Sequence, residues 1–168
     1  MRVRTFAAAL LVALGAHAAA QGRATVTFFI ASDCPISNAY APEISRICSA
    51  YQARGVSCRL VYEDTSLTPA DLTKHISEYG LMQMRATWDS SRTLADHSHV
   101  TITPTAVVAD GRDKVQYQGR IDNLYINIGR TRQQVTNHDV TDALDAVLAR
   151  KPVPHPQTEP LGCYIERR

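Results

Sequence analysis

The first strong hydrophobic pattern in the chain is "ATVTFFIA" at 24–31, β-branched and aromatic with no polar interruption beyond threonine. A short apolar run without alternation predicts a strand buried on both faces. The period then changes. Ile36, Tyr40, Ile44, Ile47, Cys48 and Tyr51 recur at three- and four-residue intervals, which predicts an amphipathic helix to about Arg54, ended by Gly55. Ser32 and Asp33 are candidate caps, and Pro35 suits the first helical position, where its missing N–H loses no partner. Pro42, inside the same helix, predicts a kink. "SCRLVYE" at 57–63 predicts a second strand, and Thr68-Pro69 opens a helix to about Tyr79, closed by Gly80.

Residues 81–91 match neither period, and Met82, Met84 and Trp88 read as core filler. A short helix is expected at about 91–98. "TAVVAD" (105–110), the turn "DGRD" and "KVQYQG" (114–119) predict a hairpin, with Asp110-Gly111 supplying the turn. A last amphipathic helix takes Asn137 as its cap and Val140, Leu144, Val147 and Leu148 as its apolar stripe. Four prolines between 151 and 160 predict an extended, irregularly packed tail. The order β-α-β-α-(α)-β-β-α implies a right-handed crossover, a parallel pair and a closing antiparallel hairpin. That is an α/β fold, a mixed central sheet flanked by helices.

Composition adds one domain with one core: 168 residues, 45% hydrophobic and 20% charged. The start stands apart. Arg2 and Arg4 precede "FAAALLVALGA" and the small-residue stretch "AHAAAQG", the layout of a secretory signal peptide cleaved near Ala18 or Ala20. The apolar stretch is shorter than the roughly 20 residues of a membrane helix, so an uncleaved anchor is the lesser alternative. The expected organisation is a signal peptide at 1–20, a domain at 21–150 and a proline-rich tail at 151–168 carrying Cys163, in a periplasmic or secreted protein. Losing the leader removes two arginines, so 18 basic and 16 acidic residues become 16 and 16. With no basic patch interleaved with aromatics, a nucleic-acid partner has no support.

Export would place Cys34, Cys48, Cys58 and Cys163 where disulfides persist. Four cysteines allow three complete pairings, and their spacing does not choose among them. Cys34 lies at the predicted strand-to-helix junction, where unsatisfied N–H groups favour a thiolate, while the neighbouring Asp33 opposes it.

"CPISNAYAP", from Cys34 to Pro42, resembles the active-site helix of the thioredoxin superfamily, in which a strand feeds a cysteine at a helix start and a proline preceded by alanine follows eight residues on. "VTITPT" at 100–105 resembles that family's proline loop, and "YQGRIDN" with the closing helix resembles its exported redoxin-like, thiol-disulfide branch. "GCYI" resembles a tail ending of some bacterial redoxin-domain proteins. The resemblance covers about 24–150 and implies a thioredoxin-like fold with Pro104 cis, facing an exposed Cys34 sulfur. The chain departs from the family in three places. Ser37 replaces the second cysteine of C-x-x-C, Asp33 replaces the tryptophan often found before the first, and Ala31 stands where a peroxiredoxin has threonine.

The resemblance therefore implies an exported oxidoreductase of C-x-x-S type without a cofactor, acting on protein or small-molecule thiols and disulfides and compatible with a membrane-bound electron donor. Cys34 would be the nucleophile and Ser37 a donor to its thiolate. Pro35, Thr103 and Pro104 would shape the substrate groove, and Cys163, another protein or glutathione would resolve the mixed disulfide. One rival is a non-catalytic binding module of the same fold. Another is a copper-chaperone-like protein with Cys34 and His97 or His99 as ligands, although Asn38 stands where that family has its second cysteine.

Other residues carry blander expectations. Cys163 could instead tie the tail to Cys48 or Cys58, and those two could bridge each other if their Cα atoms lie within about 7 Å. Arg120 and Asp122 read as a local salt bridge, and His75 and His155 as solvated.

Overall fold

The computed structural model describes residues 23–166, so the expected leader at 1–20 lies outside the described residues. The chain runs through β1 (Ala24–Ile30), α1 (Pro35–Gln52), β2 (Val56–Tyr62), α2 (Pro69–Glu78), β3 (Arg85–Trp88) and α3 (Thr93–His97). It continues with β4 (Ile102–Thr103), β5 (Thr105–Asp110), β6 (Val115–Gly119), β7 (Tyr125–Asn127), β8 (Arg130–Thr131), α4 (Asp139–Leu148) and β9 (Cys163–Tyr164).

The main sheet has the order β3-β2-β1-β5-β6. β1 and β2 run parallel from Ala24↔Val56 to Ile30↔Tyr62, and β3 adds a parallel edge. β5 lies antiparallel to β1, and β6 antiparallel to β5. Both faces are covered, which is why β1 lacks alternation. Val26, Phe28 and Ile30 belong to the cluster built with Ile44 and Ile47 of α1 and Val140, Ala143 and Leu144 of α4. Phe29, Val61 and Val107 form a second cluster with Ala95 of α3, Val100 and Ile165 of the tail.

Every member of the predicted α1 stripe is buried, and Pro42 lies inside the helix. The N-cap, however, is Cys34 rather than Ser32 or Asp33. Pro35 at the first helical position takes away the choice, because the residue before a proline is pushed into extended backbone and so becomes the boundary; Cys34 has φ −83° and ψ 112°. Thr68 caps α2 in a reciprocal capping box with Asp71, as S/T-x-x-acid spacing allows. The cap of α4 is His138, one residue beyond the expected Asn137. In the β5–β6 turn the left-handed residue is Asp113, not Gly111, because Asp110 Oδ1 accepts the N–H groups of Arg112 and Lys114 and folds the turn around itself.

Residues 81–91 hold the strand β3, which is short and half exposed, so its pattern carries little signal. Of the expected core fillers there, Met84 is buried, Met82 is 73% exposed, and Trp88 is half-buried, donating its Nε1–H to the Asp64 carbonyl at 2.9 Å. Met82 precedes the strand on a turn and has no sheet to face.

Cys48 and Cys58 form a disulfide, Cα atoms 5.9 Å apart, that staples α1 to β2 inside the core. Closing so short a loop removes about 3 kcal/mol of unfolded-state entropy. The double change Cys48→Ala, Cys58→Ala is expected to lower the unfolding free energy in a denaturant titration by about that amount. An unchanged midpoint would show the bridge to be energetically idle.

Candidate functional site

The carboxyl end of the parallel strands brings the predicted site residues together. Cys34 sits there at the start of α1, and its sulfur is bonded to Cys163 across a sequence separation of 129, with Cα atoms 6.0 Å apart. Cys34 is only 1% exposed. This corrects the expectation of an open sulfur: the tail carrying Cys163 lies over it. The Cys34 sulfur also lies 3.4 Å from the Thr103 carbonyl oxygen, and the Thr103–Pro104 peptide is cis. Thr105 braces this turn by donating its hydroxyl to the Ile102 carbonyl at 2.6 Å.

Of the predicted groove residues, Thr103 and Pro104 are buried beside the bridge and Pro35 is exposed at the helix start. Ser37 is placed differently from expectation. Its hydroxyl oxygen, on a side chain 2% exposed, accepts the Ala31 N–H at 3.4 Å and makes no bond to Cys34. One helical turn carries Ser37 inward under the β1–α1 connection, not outward over the sulfur.

The tail reaches the site by a defined path. Gln157 bridges to Gln118 of β6, the Thr158 N–H donates to the Gln118 carbonyl at 3.1 Å, and Thr158 Oγ1 lies 2.6 Å from the Tyr117 hydroxyl. Beyond Pro160 the chain crosses to β4, where β9 pairs antiparallel with Thr103↔Cys163 and Ile102↔Tyr164 in register. The Ile165 N–H then donates to the Thr101 carbonyl at 2.9 Å. Gly162 passes so close to the turn that a Cβ there would lie 1.9 Å from the Thr103 carbonyl oxygen. Only glycine permits that approach.

Beside the bridge is a cleft of about 660 Å³ between the tail and the β7–β8 hairpin, floored by Tyr40, Pro104 and Asp122. Tyr40 donates to Asp122 Oδ1 at 2.6 Å; burial, and then this carboxylate, push the phenol far above its ordinary value. Asp122 also accepts the Leu124 N–H, so the expected Arg120–Asp122 salt bridge is absent. Arg120 pairs with Asp139 at the start of α4 instead, at 2.8 Å.

Two further groups at this end were not anticipated. His75 is buried, not solvated. Its Nδ1 lies 3.0 Å from the Tyr62 hydroxyl and its Nε2 2.9 Å from Asn38 Oδ1, while Asn38 Nδ2 donates to the Ser32 carbonyl. Asn38 Oδ1 can only accept, which places a proton on Nε2, while the Tyr62 hydroxyl can donate to Nδ1 and suits a neutral ring. Burial, which lowers its pKa, favours the same state. The network fixes α1 to α2 one residue past Ser37. Glu63, just beyond β2, is 4% exposed, and neither carboxyl oxygen has a hydrogen-bond partner. Burial, and then the nearby Asp89, push its pKa up to about 8.

His97 and His99 are exposed, and among the described residues no three His, Cys, Asp or Glu side chains gather to hold a metal. With Cys34 in a disulfide, its sulfur is not a free ligand in this state.

No family model matches the sequence, and no curated protein does. Solved structures do match. An uncharacterized conserved protein from Geobacillus kaustophilus superposes with a TM-score of 0.77 at 27% identity over 89% of this chain and 80% of that one. A secreted disulfide oxidoreductase of Mycobacterium tuberculosis, homologous to E. coli DsbE, gives 0.52 at 19% identity, covering 77% of this chain and 83% of that one. A putative thioredoxin from Neisseria meningitidis gives 0.59 at 15% identity, covering 77% of each chain. The fold is thioredoxin-like.

Cys34 at the α1 start lies against the Thr103–Pro104 turn, and β9 lies over both. Gly162 and Glu63 each carry a signal in the sequence. A glycine directly before the tail cysteine marks a close backbone approach, and a carboxylate directly after the apolar "LVY" marks a strand end entering the interior.

Proposed function

We propose that the protein is an exported thiol-disulfide oxidoreductase in which Cys34 is the attacking sulfur and Cys163 the resolving one. The single observation carrying this reading is the Cys34–Cys163 bridge at a helix start, laid against the cis Thr103–Pro104 turn. A disulfide meant only to fasten the tail has no need of that position, since Gln157 and Thr158 already hold the tail to β6.

In the reduced protein, the Cys34 thiolate attacks a substrate disulfide, forming Cys34–S–S–R and releasing R′–S⁻, which takes up a proton. The Cys163 thiolate then attacks the Cys34 sulfur, restoring the bridge and expelling R–S⁻, protonated in turn. The substrate gains two electrons and the protein loses two; a dithiol donor resets the pair. Ser37 stands where a C-x-x-C enzyme keeps its second thiol and leaves that duty to the tail. The β4 edge that the tail covers in the bridged protein is then the substrate-binding edge, with Thr103 and Pro104 beside the reacting sulfur.

Export is supported by the signal-peptide-like pattern at 1–20 and by the buried Cys48–Cys58 bridge, which suits an oxidising compartment. The test is stoichiometry. With only the Cys34–Cys163 pair reduced, the protein mixed with a small aromatic disulfide is expected to release two thiols per chain and to yield the Cys34–Cys163 peptide on mapping, whereas Cys34→Ser is expected to release at most one, from Cys163, and to yield no bridge peptide. Release of two thiols per chain by Cys34→Ser would overturn the reading.

A further inference from the structure

The tail occupies the place where a substrate must react, so its sequence describes what that place accepts. β4 has one hydrogen-bonding neighbour, β9, and the two make a sheet of their own. Main-chain pairing is indifferent to side chains, so another extended strand carrying a cysteine can replace β9 in the same register. Three side-chain positions around that cysteine are constrained. The residue before it faces the Thr103 carbonyl, where a Cβ would fall 1.9 Å from the oxygen. The residue two before it, Leu161, packs against the main core, and the residue two after it, Ile165, against the Phe29–Val107 cluster. The residue directly after it, Tyr164, is 80% exposed and unconstrained.

We infer that the polypeptide substrate of the reduced protein is an extended segment of the form aliphatic–Gly–Cys–x–aliphatic, taken up on the β4 edge in place of the tail. This rests on the thiol-disulfide reading above and adds a substrate class to it. The tail can make room. Its hold on β6 ends at Thr158, and the four residues between Thr158 and Cys163 let the cysteine sit anywhere within roughly 17 Å of Thr158 while the strap stays fastened. The chemistry balances as before. The peptide's cysteine, in disulfide with a small thiol, receives the Cys34 sulfur and releases that thiol; Cys163 returns, forms the bridge and expels the peptide as a thiol. Two electrons pass from protein to substrate, and a dithiol donor restores them.

The test uses the reduced full chain and two peptides, Leu-Gly-Cys-Tyr-Ile and Leu-Ala-Cys-Tyr-Ile, each linked through its cysteine to glutathione. The glycine peptide is expected to show a kcat/KM about tenfold or more above the alanine peptide, because the added Cβ must push the strand off the turn. A small aromatic disulfide, which needs no strand, is the control. Equal rates for the two peptides, or no reaction with either, while the control is reduced through Cys34 would overturn the selection rule and leave the oxidoreductase reading standing. A control that is not reduced overturns both. Gly162→Ala gives an independent readout: in graded glutathione buffers its Cys34–Cys163 bridge is expected to open about tenfold more readily than in the unaltered protein, and an unshifted titration counts against the rule.

Discussion

Cys163→Ser is expected to stop steady-state turnover while leaving the first attack intact. With the tail sulfur gone, Cys34 still meets a substrate disulfide and releases one thiol, but the mixed disulfide has no internal attacker, since Ser37 cannot supply one and lies against the Ala31 amide. The strap to β6 at Thr158 keeps Cys163 on a four-residue tether near Cys34, so its attack is intramolecular. Intramolecular thiols on short tethers outrun bulk thiols at millimolar concentration, and a loss of roughly 100-fold or more is expected without added thiol. Intact-mass analysis is expected to find the chain carrying one substrate thiol, released by a small dithiol. A Cys163→Ser chain that turns over like the unaltered protein would mean that the tail plays no part in resolution.

The second large effect is a fall in stability as pH rises, set by Glu63. In the folded chain its pKa stands at about 8, above the ordinary carboxyl value near 4.5, because burial and the Asp89 carboxylate both penalise the anion. Asp89 is itself committed as an acceptor to the Leu94 and Ala95 N–H groups at the start of α3, and its negative charge adds to the penalty on a Glu63 anion. Below about pH 4.5 both folded and unfolded chains hold that proton. Between there and about pH 8 the folded state alone keeps it, so stability declines across this window and the loss is complete above it. The drop is on the order of 3 kcal/mol. Glu63→Gln keeps the shape and removes the titration. Denaturant midpoints are expected to flatten between pH 5 and 8, with the variant the more stable at the alkaline end. An unaltered slope in the variant would place the pH dependence elsewhere. Glu63 follows β2 at the same end of the sheet as Cys34 follows β1, and the chain is expected to be more stable in mildly acidic surroundings.

Where one element's own side chains decide the outcome, the reading from sequence held. The α1 stripe, the Thr68-Pro69 start of α2 and the β5–β6 hairpin are written in local periodicity and in turn and cap residues, and each formed as expected. So did the order of the main elements, since parallel strands joined by helices leave few ways to connect. The misses are local signals too weak to rise above noise. β3 is four residues long on an edge, and the β7–β8 hairpin has little buried surface to leave a pattern.

The amino-acid order by itself determined β1, β2, the β5–β6 hairpin, the helices and the cysteine ahead of a proline, and resemblance pointed to the proline loop. It left open which sulfurs bond, whether Cys34 is open or covered, which way Ser37 points, and what Arg120, His75 and Glu63 touch. Those answers join residues far apart in the chain, such as Cys34 with Cys163 and Arg120 with Asp139. Periodicity reports only how a residue sits on its own helix or strand. Which distant group it meets depends on how the sheet, the helices and the tail pack together, and that is settled only when the whole core closes.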